Sequence, residues 1–244
     1  MRGLARDLLA LCFPPRCAGC RRGVPGDAVL CRACDLCVPR IARGVCALCQ
    51  EVPAAAESAR CAPCAAAPSA LAACCAEAWF EGGAAQWVKR WKYPAPGLRG
   101  LDPAAEAVTR ALLHDALARM PAPHPDAIVP VPLHPARIRA RGFSPAAVLA
   151  LHASRMLGVP LLPRLLERVR DTPSQTGLDR PARRRNVAGC FALAVGARVP
   201  PSLWLVDDVV TTGATHGEAA RVLRGAGALA VAAVCLARTP APPR

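Results

Sequence analysis

The sequence predicts an α/β protein in which a parallel β-sheet flanked by helices follows a small cysteine-rich domain. Twelve of the 14 cysteines precede residue 76, so the two parts of the chain differ sharply in composition. In the second part, apolar strands alternate with helical segments, and this alternation is typical of parallel sheets built from βαβ units. We therefore expect a first domain at residues 1–72 and a second domain at residues 73–244.

The cysteine-rich domain contains four C-x-x-C pairs arranged as a tandem repeat. A C-x-x-C pair points two thiolates at one ion, and two such pairs complete a tetrahedral site with four sulfur ligands. Two structural Zn²⁺ sites are therefore predicted, with sequential pairing as the simpler arrangement and an interleaved pairing also open. The predicted ligands are Cys17, Cys20, Cys31, Cys34, Cys46, Cys49, Cys61 and Cys64.

Other uses of these cysteines explain the spacing less well. A disulfide framework needs an oxidising compartment, but Asp7 interrupts a short apolar stretch that does not resemble an export signal. A thioredoxin-like site would use one pair, and iron–sulfur clusters usually have other spacings. We interpret the first residues as a short amphipathic helix and expect a cytoplasmic protein.

The chain carries a strong excess of positive charge. Its formal net charge is +14, from 31 lysines and arginines against 17 acidic residues. Such an excess favours polyanionic partners, either a nucleic acid or a pyrophosphorylated sugar, and does not distinguish between them. No apolar run approaches the ~20 residues that span a bilayer, so no membrane span is expected.

The segment that opens the second domain is rich in aromatic and basic residues. Residues 79–93 include five of the nine aromatic residues. Trp87 and Trp91 are one helical turn apart, which predicts a helix that buries them against the sheet and leaves the cations in water. A stacking platform for single-stranded nucleic acid is the alternative. A further helix is predicted over residues 103–120.

A short apolar strand at residues 126–132 is followed by a basic segment that we interpret as a loop. Three arginines alternate along it, and guanidinium groups in a loop after a strand form a clamp for a pyrophosphate. A solvated basic loop or a nucleic-acid contact is the alternative. Ser144 and Pro145 then mark the start of a helix that Gly158 ends. The arginines are Arg137, Arg139 and Arg141.

Residues 171–180 are polar and rich in residues that break helices, which predicts a mobile loop. A loop that closes over a reactive sugar would exclude water from it, whereas the alternative is a disordered basic loop. The central residues of this predicted loop are Gln175, Thr176 and Gly177.

The last predicted βαβ unit carries the strongest functional signal. A buried strand at 202–206 runs into Asp207 and Asp208, a helix follows at 216–224, and a second strand at 228–236. The intervening loop supplies hydroxyl groups, small residues and a helix N-terminus, which together suit a phosphate, while the carboxylates suit sugar hydroxyls or Mg²⁺. The unit therefore fits a phosphorylated ribose, and a plain turn with a capping aspartate is the alternative. The loop residues are Thr211, Thr212, Gly213, Ala214 and Thr215.

Residues 206–215 resemble the phosphoribosyl-pyrophosphate loop of the type I phosphoribosyltransferases. The four C-x-x-C pairs, the P-V-P-L-H-P-x-R-x-R-x-R-G-F segment at residues 130–143 and the Q-T-G-L-x-R segment from residue 175 extend the likeness. Together these motifs resemble the ComF family, competence-associated proteins with a double zinc ribbon and a phosphoribosyltransferase domain. The match runs from about residue 8 to residue 238.

The resemblance implies a type I phosphoribosyltransferase-like sheet, flanked by helices and preceded by a double zinc ribbon. It implies that Asp207 and Asp208 hold the ribose hydroxyls and Mg²⁺ and that the threonine loop holds the 5′-phosphate. It also implies that the three arginines, with Val131 and Pro132, bind the pyrophosphate. Thr211 stands where purine-salvage members of the superfamily have an aspartate base, so that route to a purine is not supported.

The resemblance further implies a biological setting. It implies phosphoribosyl transfer to an unknown acceptor, a role in the uptake of single-stranded DNA during natural transformation, and a helicase partner. A zinc-containing adaptor that senses phosphoribosyl pyrophosphate or handles single-stranded DNA without turnover is the alternative.

Overall fold

The computed structural model describes residues 14–52, 59–93, 102–172 and 180–241, without the side chains at positions 180, 181 and 184. The predicted N-terminal helix and the predicted loop residues 175–177 lie outside these ranges. In the cysteine-rich part the described helices are short, with α1 at Arg32–Leu36 and α2 at Ala62–Ala66. Each begins directly after a cysteine of a C-x-x-C pair.

The rest of the chain alternates strands with helices, as the sequence predicts. In chain order the elements are β1 (Ala73–Trp79), α3 (Gly82–Lys92), α4 (Pro103–Ala118), β2 (Ala127–Pro130), α5 (Pro135–Arg141), α6 (Pro145–Leu157), β3 (Leu166–Arg168), α7 (Arg180–Val187), β4 (Phe191–Leu193), β5 (Ser202–Val210), α8 (Ala214–Gly225) and β6 (Ala230–Arg238). None of the described helices is long and apolar enough to cross a membrane.

Four of the strands form one parallel sheet in the order β1-β6-β5-β2, which confirms the predicted sheet. Helices cover both of its faces, so β6 is buried along almost its whole length. Helices α3, α4 and α6 pack on one face, and α8 packs on the other. Because parallel strands end at the same edge of a sheet, the residues that follow β2 and β5 meet there.

Helix α6 has the bounds that the sequence predicts. Ser144 Oγ accepts a hydrogen bond from the Ala147 amide at 3.3 Å, and Pro145 occupies the first helical position. Gly158 ends the helix with φ of +69°. A side-chain cap, a proline at the start and a left-handed glycine at the end are local signals, so this helix can be read from the sequence.

The aromatic segment forms helix α3, and the packing interpretation is confirmed for Trp91. The Trp91 side chain is fully buried and meets Phe143 edge-on, with the ring centroids 5.9 Å apart. Trp87 is half-buried, and the Arg90 guanidinium lies 5.3 Å from its ring centroid. The C-terminal end of α3 is therefore anchored in the core beside the residues that follow α5.

The cysteine-rich segment docks on the free edge of β1. Ile41 donates its amide to the Glu77 carbonyl at 2.9 Å. The Gln50 side chain bonds both the amide and the carbonyl of Ala76, at 2.8 and 2.9 Å. These bonds satisfy backbone groups that an exposed edge strand would offer to other chains. The division into domains at residue 72 stays a prediction.

The prediction of a loop after β2 is wrong, because residues Pro135–Arg141 form helix α5. The His134 side chain accepts a hydrogen bond from the Ala136 amide, Pro135 takes the first position, and Gly142 ends the helix with φ of +87°. These are the same signals that define α6. The loop is predicted despite these helix-end signals, because alternating arginines are typical of an extended segment.

Strand β5 is longer than predicted. It pairs with β6 as far as Val210, so Asp207 and Asp208 lie within the strand and not after it. Helix α8 correspondingly begins at Ala214, two residues before the predicted start. The predicted strand ending at residue 236 also extends, to Arg238.

Candidate functional site

The two acids of β5 face opposite sides of the sheet because consecutive side chains of a strand alternate. On one side, Asp207 Oδ2 lies 3.3 Å from Nε2 of His216, in the first turn of α8. On the other side, Asp208 Oδ1 lies 2.7 Å from Nζ of Lys92, the last residue of α3. Asp207 Oδ1 also accepts a hydrogen bond from the Asp208 amide at 2.8 Å. The acid pair therefore joins β5 to a helix on each side of the sheet.

The charged groups around the acid pair shift the pKa values of Asp208 and His216. Burial and the neighbouring Asp207 raise the pKa of Asp208, whereas Lys92 and Arg141 act against that rise. Burial opposes protonation of His216, but the hydrogen bond to Asp207 prevails and raises the pKa of His216. A buried carboxyl with a raised pKa and a nearby cation is an arrangement found at functional sites.

The predicted phosphate loop connects the acid pair to α8. Gly213 has φ of +76° and occupies the N-cap position, and Thr212 Oγ1 lies 3.4 Å from the Ala214 amide. Thr211 is exposed, and Thr215 lies in the first turn of the helix. The loop thus places hydroxyl groups and the helix N-terminus directly after Asp208, where backbone amides favour an anion.

The three predicted arginines do not converge. Residues one helical turn apart share a face, so Arg137 and Arg141 lie on the same side of α5 and the exposed Arg139 lies on another. Arg137 Nη2 donates to the Thr172 carbonyl at 2.6 Å. Arg141 Nη2 donates to the Tyr93 hydroxyl at 2.9 Å, and its charge acts on Asp208.

Val131 and Pro132 follow β2 at the same edge of the sheet as the acid pair. The Val131 amide donates to the Val206 carbonyl at 2.9 Å, directly beside the start of the acidic sequence. The structure therefore brings together the ends of β2 and β5, the loop into α8, and Arg141. The predicted loop residues Gln175, Thr176 and Gly177 lie outside the described residues.

The eight predicted cysteine ligands form two clusters, and the sequential pairing is confirmed. One cluster contains Cys17, Cys20, Cys31 and Cys34, and the other contains Cys46, Cys49, Cys61 and Cys64, with the ligand atoms of each within 4.8 Å of one another. A tetrahedral ion with Zn–S bonds of about 2.3 Å requires sulfur atoms about 4 Å apart, so both clusters fit Zn²⁺.

The thiols in these two clusters differ in pKa. Burial raises the pKa of Cys17 and of Cys46, but hydrogen bonds from backbone amides lower both to about 6. The other sulfurs of its cluster raise the pKa of Cys34 to about 12. Cys37 lies apart from the cluster and donates its thiol to the Ala33 carbonyl at 3.3 Å.

Comparison with curated proteins finds relatives that are named for competence or for DNA utilization. The chain is 42% identical over 105 residues to Competence protein F of Haemophilus influenzae, covering 42% of this chain and 46% of that protein. It is 38% identical over 138 residues to the DNA utilization protein YhgH of Salmonella typhi, covering 55% and 60% of the two chains. These relatives support the resemblance to the ComF family. The matches span about half the length of these curated relatives.

No protein-family model matches the chain. Among solved structures, the glutamine phosphoribosylpyrophosphate amidotransferase of B. subtilis has a TM-score of 0.38 at 21% identity, covering 61% of this chain and 30% of that chain. The adenine phosphoribosyltransferase of Saccharomyces cerevisiae has a TM-score of 0.33 at 15% identity, covering 62% and 89%. These weak similarities do not establish a function for this chain.

A buried polar cluster links the second cysteine site to β6. Gln50, which directly follows Cys49, adopts φ of +55° and lies buried against Arg238. Arg238 Nη2 donates to the Leu48 carbonyl at 2.8 Å and lies 3.2 Å from Cys74 Sγ. Farther along, Cys235 Sγ lies 3.5 Å from His216 Nε2.

Sequence reasoning missed several residues that contact the acid pair or influence it. Lys92 stands in the aromatic segment, where its charge is interpreted as a solvated helix face, and His216 is interpreted only as the start of a helix. Arg168, in β3, has its pKa lowered by burial and also feels the charge of Asp207. Lys92 is far from Asp208 in sequence, and His216 reaches Asp207 only because α8 packs beside β5, so neither contact leaves a pattern in the sequence.

Proposed function

We propose that this chain binds phosphoribosyl pyrophosphate together with Mg²⁺ at the edge of the sheet where β5 leads into α8, and transfers the phosphoribosyl group to an acceptor. The observation that carries the proposal is the contiguity of Asp207, Asp208, the threonine loop and the N-terminus of α8. Asp207 is held beside that helix by His216. This arrangement offers acids for a ribose next to amides for its phosphate.

The acid pair supports a role in holding the ribose and its metal. Carboxylate oxygens are the ligands that Mg²⁺ prefers, and the Lys92 ammonium 2.7 Å from Asp208 indicates that this position accepts a cation. A bound Mg²⁺ would supply positive charge to the pyrophosphate. Asp207 is held by the Asp208 amide at Oδ1 and by His216 at Oδ2, and the remaining lone pairs of these oxygens would accept hydrogen bonds from ribose hydroxyls.

We assign pyrophosphate binding to residues of α5 and to the residues that follow β2, because both groups lie near the acid pair. Arg141 contributes charge close to Asp208, and Arg137 lies one turn away on the same face of α5. Val131 and Pro132 bring backbone to the same edge. Arg139, on another face of the helix, takes no part in this assignment.

The reaction breaks the bond between C1 of the ribose and the pyrophosphate oxygen. Positive charge develops on the sugar ring as that bond breaks, and negative charge collects on the leaving pyrophosphate. Carboxylates near the ring and guanidinium groups near the pyrophosphate stabilise these charges without attacking the sugar covalently. The acceptor then supplies the electron pair that forms the new bond to C1.

Calorimetric titration of the full chain with phosphoribosyl pyrophosphate and Mg²⁺ tests the binding proposal. We expect one ligand per chain, and no detectable binding when Asp207 and Asp208 are both changed to alanine. The zinc content of that double variant should remain near two per chain, since neither acid contacts the cysteine clusters. Unchanged affinity in the double variant would contradict the assignment.

A second candidate function is a non-catalytic adaptor that senses phosphoribosyl pyrophosphate or handles single-stranded DNA. The net charge of +14 favours it, as do the names of the relatives, which refer to competence and DNA utilization. In that case the protein would act in DNA uptake beside a helicase partner and would bind phosphoribosyl pyrophosphate without transferring its phosphoribosyl group. Pyrophosphate release, screened across bases and amines, separates the two functions.

A further inference from the structure

The C-terminal corner of α3 contacts three separate parts of the candidate site. Trp91 packs on Phe143, just beyond α5, and Lys92 reaches Asp208 in β5. Tyr93 accepts a hydrogen bond from Arg141 at 2.9 Å, and the Arg141 guanidinium lies 4.9 Å from the Tyr93 ring centroid. Three consecutive residues therefore join the core, the acid pair and the basic helix.

The ion pair at the centre of this corner is largely removed from water. The Lys92 and Asp208 side chains are only 16% and 12% exposed, and their charged atoms are 2.7 Å apart. A charge at this depth must be paired or hydrogen-bonded, and Lys92 meets that need for Asp208. Two neighbouring helix residues, Lys89 and Arg90, are exposed, so the position of Lys92 sets it apart.

We infer that Lys92 is a positioning residue whose ammonium group occupies the cation position on Asp208. A divalent cation must displace this ammonium group before Asp208 can ligate the cation. This inference rests on the proposed function, since it assumes that the acid pair receives Mg²⁺ with the sugar. An ammonium group and a divalent ion repel each other at the same carboxylate oxygen, so the two compete. The long flexible stem of lysine allows its charge to move away without moving the helix.

Competition between Lys92 and a divalent cation for Asp208 would couple binding of the cation to binding of the anionic ligand. With no ligand bound, Lys92 offsets the repulsion between the two adjacent carboxylates and holds Asp208 in place. Once displaced, its charge is free to turn toward a polyphosphate bound on the α5 side, where Arg141 already lies. Lys92 thereby links the arrival of the cation to the binding of the anionic ligand.

Manganese titration of the full chain without phosphoribosyl pyrophosphate tests the inference, because free Mn²⁺ is measured directly from its paramagnetic resonance signal. Lys92→Met removes the ammonium and keeps the length of the side chain, so the affinity for Mn²⁺ should rise by about tenfold. Lys92→Arg keeps the charge and should bind Mn²⁺ as weakly as the unchanged chain. Lys89→Met, an exposed lysine of the same helix, is the matched control and should have no effect.

The outcomes separate this inference from the proposed function. If Lys92→Met leaves Mn²⁺ affinity unchanged or lowers it, or if no form of the chain binds Mn²⁺, Lys92 does not compete at this position. A melting temperature measured for each variant distinguishes a merely structural role, which would lower stability without raising Mn²⁺ affinity. If Lys92→Met behaves as expected but the unchanged chain does not bind phosphoribosyl pyrophosphate, the inference on Lys92 holds and the proposed function fails.

Discussion

Gly213 is the residue on which the turn from β5 into α8 depends. Its φ of +76° lies in the left-handed region, yet a Cβ added there would meet no atom within 4 Å. Gly213→Ala should therefore lower the free energy of unfolding by about 1–2 kcal/mol through backbone strain alone. Gly217→Ala, within α8 and equally uncrowded, should be neutral or stabilising by up to about 1 kcal/mol. Urea denaturation measures both, and equal effects would contradict the account.

His216 should make stability depend on pH in a defined direction. Burial lowers the pKa of His216, but the hydrogen bond to Asp207 and the charge of Asp207 outweigh burial, so the pKa in the folded chain is raised above 6.5. The stabilisation is then fully present below about pH 6.5 and is lost as the pH rises through the folded pKa. We expect His216→Asn to cost more stability at about pH 6 than at about pH 9. The exposed His124→Asn is the control, and a cost that grows with pH would contradict this.

The contacts of single residues were the part of the site least accessible from the sequence. The run Asp207, Asp208 and the threonine loop is recognisable because its chemistry is local. Its ion-pair partners, Lys92 and His216, belong to other elements and are brought in by packing. A tertiary contact of this kind leaves no periodicity or spacing in the sequence.

At the scale of elements, helix α5 changes which arginines can act together. A strand or extended loop would point alternating residues to one side, whereas a helix separates them and pairs residues one turn apart. Arg141→Ala should weaken binding of phosphoribosyl pyrophosphate by about tenfold, since it removes a charged hydrogen-bond donor. Arg139→Ala, on another face, should change the affinity by less than about twofold. If calorimetry finds that both variants lose the same affinity for phosphoribosyl pyrophosphate, the three arginines act together as a clamp and this account is contradicted.

Helices α5 and α6 show what local signals can and cannot predict. Both have a capping side chain, a proline at the first position and a left-handed glycine after the last. The sequence predicts α6 correctly because its interior is apolar. The interior of α5 consists of alternating arginines, and that pattern outweighed equally good end signals. The bounds of β5 were also missed, because only pairing with β6 keeps two acids in a strand.

At the scale of the whole molecule, Gln50 fastens the second cysteine site to the sheet. Its φ of +55° suits glycine, so Gln50→Gly keeps the backbone and removes the side-chain bonds to Ala76 and Arg238. We expect a loss of about 1–3 kcal/mol in the free energy of unfolding. Arg21→Gly, at the matching position of the first site with φ of +63° and an exposed side chain, should be nearly neutral.

The zinc content measured for both variants completes this comparison. Each variant should retain about two Zn²⁺ per chain, because glycine leaves all eight sulfur ligands in place. A loss of metal in Gln50→Gly would mean that the residue stabilises the metal site and not its docking. Equal destabilisation by the two variants would show that the side-chain bonds of Gln50 contribute nothing to stability.

A crystal structure of the full chain with phosphoribosyl pyrophosphate and Mg²⁺, accompanied by metal analysis, tests the central claim most directly. The account predicts the 5′-phosphate on the amides that follow Gly213, the ribose hydroxyls on Asp207, and the pyrophosphate beside Arg141. Density for the ligand at another surface, or a ligand whose phosphate does not touch the loop before α8, would contradict it.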